Sequence, residues 1–359
     1  MKIAPVFDVL VEKIFQSVDT EWRLGALYER PLYDCEATTL LWHGAISKAR
    51  DVQSSILFNK NEDRRIMKRI NYIKPAFFTL CAFLMGMTGV ATAEAQPEEK
   101  TLLWKIEGKG IQPSYLMGTI HILPQSEFEL KEKVQTAFDA SELLVLELDI
   151  DDPGLQASIM QHAGMDNGET LDQLLPPLAY EKIDRQLKEV LGVGIQPFNT
   201  FKPLLIASFL TAKYVGEQPA SFEATLMQMA MEKGIEVQGL ETVADQMAVF
   251  DKISYPDQVK DLVEMIDDED RVKGLYKKLL GLYKAEDQKA LFDMMGEYFD
   301  DPAQLEVMIN ERNKNWIPLI EAKAKTVSTF FGVGAGHLGG EQGVLSLLKK
   351  AGYKVTPVM

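Results

Sequence analysis

From residue 100 onward the apolar positions follow two periods. Leu102–Ile106 (LLWKI) and Ser114–Ile122 (SYLMGTIHI) are short apolar runs on either side of the turn-rich stretch Gly108–Pro113, which predicts two strands. Over Glu127–Ala140, Phe128, Leu130, Val134 and Phe138 recur at helical spacing. Leu143–Ile150 (LLVLELDI) is a nearly continuous apolar run, as in a strand buried on both faces, and Asp151-Asp152-Pro153 ends it. Residues 154–230 predict mainly helix, most clearly over Leu178–Leu191 and Pro203–Tyr214. Gly234 separates a helix, Phe222–Lys233, from a short strand, Ile235–Leu240. Residues 242–325 are again helical, with breaks near Asp267–Asp270 and Asp300–Pro302. Thr329–Gly334 predicts a strand, Gly343–Ala351 a helix and Tyr353–Val358 a last strand. This order predicts an α/β fold: a mixed central sheet built from N- and C-terminal strand–helix–strand units, with a long helical insertion.

The stretch before residue 96 follows neither period. From Met67, the basic residues Lys68, Arg69 and Lys74 precede a mostly apolar run, Pro75–Val90. Ala91-Thr92-Ala93 and Ala93-Glu94-Ala95 then both fit a signal-peptidase site, which completes the three-part form of a secretory signal. The apolar run is short against the roughly 20 residues of a membrane span, so membrane contact is expected only through this segment, and only if it stays uncleaved. Residues 1–66 have mixed charge and no sustained periodicity. The expected organisation is a non-native upstream extension over 1–66, from a mis-assigned start, a signal peptide over 67–95, and a catalytic domain over 96–359. Both cysteines, Cys35 and Cys81, precede residue 96. A cysteine-free remainder suits an oxidising compartment, and the expected location is periplasmic or secreted.

Composition narrows the function. The chain is 46% apolar and 25% charged, with a formal net charge of −15. Those are globular proportions. So acidic a chain lacks the footprint for a phosphate backbone, and no nucleic-acid partner is expected. Two cysteines make neither a disulfide framework nor a Cys-rich zinc site, and histidine chemistry is confined to His43, His121, His162 and His337.

Candidate chemistry gathers at strand ends. Gly118-Thr119-Ile120-His121 closes an early strand and Gly334-Ala335-Gly336-His337 a late one. Each sets a histidine three residues after a glycine, which allows close backbone approach. Glu147 sits near the end of LLVLELDI, where a carboxylate needs a partner or a metal, with Asp149 on the same face. Glu241 follows Ile235–Leu240. Four strands therefore end in His, Glu, Glu and His, and ligands of open α/β sheets bind at the carboxyl ends of strands. Two imidazoles and two carboxylates suit a divalent ion such as Mn, Co, Zn or Fe(II). Spacing alone makes Arg312, in LEVMINERNKNW, an exposed residue of an amphipathic helix; beside a metal its guanidinium would stabilise developing negative charge. His162 reads as exposed, the Met227, Met229, Met231 cluster as helix core, and Asp267–Arg271 as a solvated loop.

LWKI, SYLMGTIHILP, LLVLELD, VQGLETVADQ, ERNKNW and FFGVGAGHLGGEQGVLSLLKKAGYKVTPV occur in this order and resemble the TraB/PrgY/GumN family, related to the Tiki metalloproteases. The resemblance covers roughly residues 100–359. It implies a metal-dependent protease, generally supported by Mn or Co, whose paired Gly-x-x-His motifs and a glutamate form the site. Those map onto His121, His337 and Glu147, with Glu241 and Arg312 in further family blocks. Where the family often has Gly-x-Asp, this chain has Ser221-Phe222-Glu223, so Glu223 is an inexact equivalent. The expected function is a metal-dependent hydrolase of a peptide or protein substrate, with His121, His337 and Glu147 as ligands and Glu147, Glu241 and Arg312 in catalysis. The alternative is a non-catalytic protein that sequesters a peptide or ligand on the same fold.

Overall fold

The computed structural model describes residues 100–359 apart from Lys109, Glu217 and Asp300. The expected upstream extension and signal peptide lie outside the described residues. The strands are β1 (Leu103–Glu107), β2 (Ser114–Thr119), β3 (Leu123–Pro124), β4 (Leu143–Leu148), β5 (Pro219–Ala220), β6 (Glu236–Glu241), β7 (Thr329–Gly334) and β8 (Lys354–Pro357). Six of them form a mixed sheet in the order β6-β4-β7-β2-β1-β8. β6, β4, β7 and β2 are neighbours in parallel, and β1 runs against β2 and β8. The four carboxyl ends named from sequence thus meet at one edge of the sheet. β7 is buried along its whole length and β4 at all but its last residue, which explains their unbroken apolar sequences.

The helices are α1 (Glu132–Asp139), α2 (Leu155–His162), α3 (Pro177–Leu191), α4 (Pro203–Val215), α5 (Phe222–Lys233), α6 (Val243–Asp251), α7 (Tyr255–Asp267), α8 (Glu269–Lys284), α9 (Gln288–Tyr298), α10 (Glu311–Thr326) and α11 (Val344–Lys350), with single turns at Leu171–Leu174 and Pro302–Leu305. Local chemistry sets their starts. The Ser221 hydroxyl caps α5, and Thr242 with Asp245 forms a capping box on α6. No helix among the described residues is long and apolar enough to cross a membrane.

Two apolar clusters hold these elements. One packs Phe138, Leu144, Trp316, Phe330 and Phe331 around the sheet. The other lies within the helical insertion, where Ile183, Leu187, Phe198, Ile206 and Leu262 are buried. The second begins directly off the carboxyl ends of β4 and β6, since Leu148 and Val243 pack into it.

Some expectations need correction. The helix foreseen over Glu127–Ala140 starts only at Glu132. Phe128 and Leu130 alternate on a non-helical stretch and both pack on the sheet core, Phe128 with its ring 4.7 Å from that of Phe222. Asp267–Arg271 is a junction of two helices, where the Asp268 side chain caps α8 by accepting the Arg271 amide. Of the methionines, Met227 and Met229 pack on the core but Met231 is exposed. His162 is half-buried, its Nδ1 2.9 Å from the Ser158 carbonyl. No periodicity marks the antiparallel ribbon β3–β5, which pairs Leu123 with Ala220 and Pro124 with Pro219.

Candidate active site

β2, β4, β6 and β7 deliver His121, Glu147, Glu241 and His337 to the same edge, and α10 brings Arg312 to them. Three of them, His121, Glu147 and His337, meet at Gly334. A Cβ placed there would lie 3.2 Å from Glu147 Oε1, 3.4 Å from His121 Nε2 and 3.6 Å from His337 Cδ2. Two histidines 216 positions apart therefore border one small space with a carboxylate between them. Glycine is also needed at position 118, where a Cβ would come within 2.7 Å of Leu338 and 3.1 Å of Ala335. That contact lets the His337 turn sit against β2.

Arg312 is the hub, and it is buried rather than exposed as its spacing suggested. Its Nη2 donates to Glu147 Oε2 at 2.6 Å and to Glu241 Oε2 at 2.7 Å, and its Nε to both Glu241 oxygens at 3.0 and 3.1 Å. Its Nη1 donates to His337 Nε2 and to the Met308 carbonyl, both at 3.2 Å. Met308 lies in a π-turn, Glu306–Asn310, immediately before α10; such turns are rare and often mark functional sites. The Trp316 ring supports the guanidinium at 5.0 Å and the His337 ring at 4.4 Å.

The charges follow from these contacts. Desolvation would raise the Glu147 pKa, but Arg312, the two histidines and the Gly334 amide, 2.7 Å from Oε1, hold the carboxyl well below the usual range. Desolvation, with Arg312 and His121 as like charges, pushes His337 down to about 3 against the pull of Glu147, so it is neutral. His121 differs, with a side chain 63% exposed. Water there moderates both the desolvation that lowers its pKa and the Glu223 charge that raises it; the contact from Nδ1 to Glu223 Oε1 at 2.8 Å sets the direction upward.

Among the described residues no three His, Cys, Asp or Glu side chains are gathered to hold a metal ion. The guanidinium of Arg312 instead spans Glu147, Glu241 and His337. The donor chemistry nevertheless fits a divalent ion. Each histidine uses Nδ1 on a neighbouring acceptor, Glu223 or Asn313, which turns His121 Nε2 to the Gly334 space and His337 Nε2 to Arg312, 3.9 Å from Glu147 Oε1. Sequence reasoning missed Asn313 and Gln246, whose Nε2 lies 3.5 Å from Glu147 Oε2, and had Glu223 only as an inexact match. Asn313 follows Arg312 directly, but nothing local to ERNKNW singles it out. Clefts beside Met117 and Tyr283, and between Arg185 and Asp268, contain none of the five predicted residues.

The sequence profile of the TraB/PrgY/gumN family matches residues 102–357. The chain belongs to this family. It is also similar to Metalloprotease TIKI2 of Danio rerio, 25% identical over 77% of this chain, and to a Metalloprotease TIKI homolog of Amphimedon queenslandica, 22% identical over 77%. A shorter match, 32% identical over 33% of this chain, is to Metalloprotease TIKI1 of Xenopus tropicalis. The chain spans 66% and 65% of the length of the first two relatives and 24% of the third, in each case less than two thirds. No solved structure matches.

Proposed function

We propose that this chain is a metal-dependent peptide hydrolase of the TraB/PrgY/gumN family, acting in the periplasm or after secretion. The observation that carries the reading is the border of the Gly334 space: His121 Nε2, the Cδ2 edge of His337 and one buried carboxylate, with Nδ1 of each imidazole already committed. The names of the relatives favour the same chemistry. His121, His337 and Glu147 would hold the ion, Mn or Co first among those the donors suit, with Zn or Fe(II) next. When bound, the ion supplies Lewis acidity to a scissile carbonyl and acidifies a water.

The chain's own groups do the rest. Arg312, fixed in angle by its fork on Glu241 and with its N–H groups bonded to Glu147, Glu241, His337 and Met308, would act on a developing oxyanion through its charge. Exposed His121 marks the side from which a peptide enters. Glu147 either holds the ion or takes a proton from the attacking water, and Glu147→Gln distinguishes the two. As a base, its loss leaves metal in place while cleavage falls by about 10²–10⁴-fold. As a ligand, its loss lowers both. The test is metal stoichiometry and peptide cleavage with added Mn or Co, using the full chain and its Glu147→Gln, His121→Ala and His337→Ala variants. Both histidine variants should lose metal and activity. Full activity in both removes the reading. A wild type that binds metal yet cleaves nothing across a broad peptide library supports sequestration instead.

A further inference from the structure

We infer that Asn313 and Glu223 are positioning residues, each engaging Nδ1 of one histidine so that its Nε2 is left to the site. The inference rests on the proposed role of the two Nε2 atoms as donors, but the hydrogen bonds behind it stand apart from any metal.

For His337 two contacts agree on the tautomer, and the shorter of them comes from Asn313. The Asn313 amide nitrogen donates to the Gln342 carbonyl at 2.9 Å and the His337 carbonyl at 3.3 Å. Its oxygen is therefore the atom facing His337 Nδ1, at 2.7 Å, and an oxygen can only accept. The proton thus sits on Nδ1. From the other side Arg312 Nη1, which can only donate, approaches Nε2 at 3.2 Å, so Nε2 carries the lone pair. Asn313 is fully buried, and Trp316 covers the ring face.

For His121 the device is a carboxylate on the first turn of a helix. Glu223 Oε1 accepts from His121 Nδ1 at 2.8 Å and from Thr119 Oγ1 at 2.6 Å, while Oε2 accepts from Ser221 Oγ at 3.0 Å. The N-terminus of α5 favours that charge. The β3–β5 ribbon supplies the register. By pairing Leu123 with Ala220 it ties a point two residues after His121 to a point three residues before Glu223, although the two lie 102 positions apart. Partners of this kind orient metal-binding histidines, and their loss typically costs about 10–100-fold in metal affinity.

The test reads tautomer and affinity on the full chain. Imidazole ¹⁵N shifts, taken without metal, should show His337 protonated on Nδ1 in wild type. They should show a weaker preference in Asn313→Leu, where only Arg312 still favours it, and its retention in Asn313→Asp, which keeps the acceptor. Equilibrium dialysis with Mn, Co or Zn should show about 10–100-fold weaker binding in Asn313→Leu and Glu223→Ala, with a smaller loss in Glu223→Gln. A purely structural role would move the melting temperature and leave the tautomer alone. His337 protonated on Nε2 in wild type overturns the assignment of Asn313 even if Asn313→Leu does not fold. Unchanged affinity in Glu223→Ala overturns that of Glu223. A wild type that binds no metal defeats the proposed function and with it the affinity arm, whereas a folded Asn313→Leu whose His337 is protonated on Nδ1 as fully as in wild type defeats only this inference.

Discussion

Arg312 balances two carboxylates that the fold has taken out of water. Its side chain is 11% exposed, and those of Glu147 and Glu241 are 11% and 8% exposed. Removing one partner of such a group leaves uncompensated buried charge. Arg312→Ala should therefore lower stability by about 3–5 kcal/mol, read from denaturant unfolding at neutral pH. A loss under about 1 kcal/mol would mean that the carboxylates are solvated and the hub is not intact in solution. None of this is visible around position 312. Within ERNKNW only Trp316 is apolar, and the partners that bury Arg312 lie 71 and 165 positions away. Histidines and acids at strand ends can be read from sequence because each ends a recognisable apolar run. Arg312 and Asn313 cannot, since their roles come from contact between distant elements.

Strands buried on both faces announce themselves: Thr329–Gly334 and the start of Leu143–Leu148 lie where the apolar runs place them. Helices with a side-chain cap and a glycine end do so too, as Phe222–Lys233 does with Ser221 before it and Gly234 after. The β3–β5 ribbon is too short for any periodicity, and both its strands contain proline, which demotes a strand reading. At the end of β7, Gly334 has φ −51° and ψ 133°, a conformation open to any residue, so space alone argues for glycine there. Gly334→Ala should then fold. Its overpacking cost is about 1–3 kcal/mol, offset by about 0.4–1 kcal/mol from a stiffer unfolded chain. The methyl group would occupy the space between His121, Glu147 and His337. The expected outcome is a cooperative melt beside lost metal binding and lost cleavage, and wild-type metal affinity in this variant would place the ion elsewhere.

At the scale of the molecule, the sheet and the helical insertion carry separate apolar cores. The sequence disclosed the insertion as helix, because its periods are local. It did not disclose the strand order or the reversal of β1, which depend on pairings such as Trp104 with Pro357, formed across nearly the whole described length. The insertion leaves the sheet beside Glu147 and Glu241, so that flank is covered, and the other flank ends in His121. Side-chain exposure there falls from 63% at His121 to 5% at His337. At a pH high enough to deprotonate His121, the two imidazoles bordering Gly334 should thus react at different speeds with a carbethoxylating reagent, His121 first and His337 only on unfolding, as peptide mass mapping would record. Equal rates would show a site open on both flanks. Whatever settles against Gly334 must also shade His121, so the slowing of that single modification becomes a footprint of occupancy, readable before the occupant has been identified.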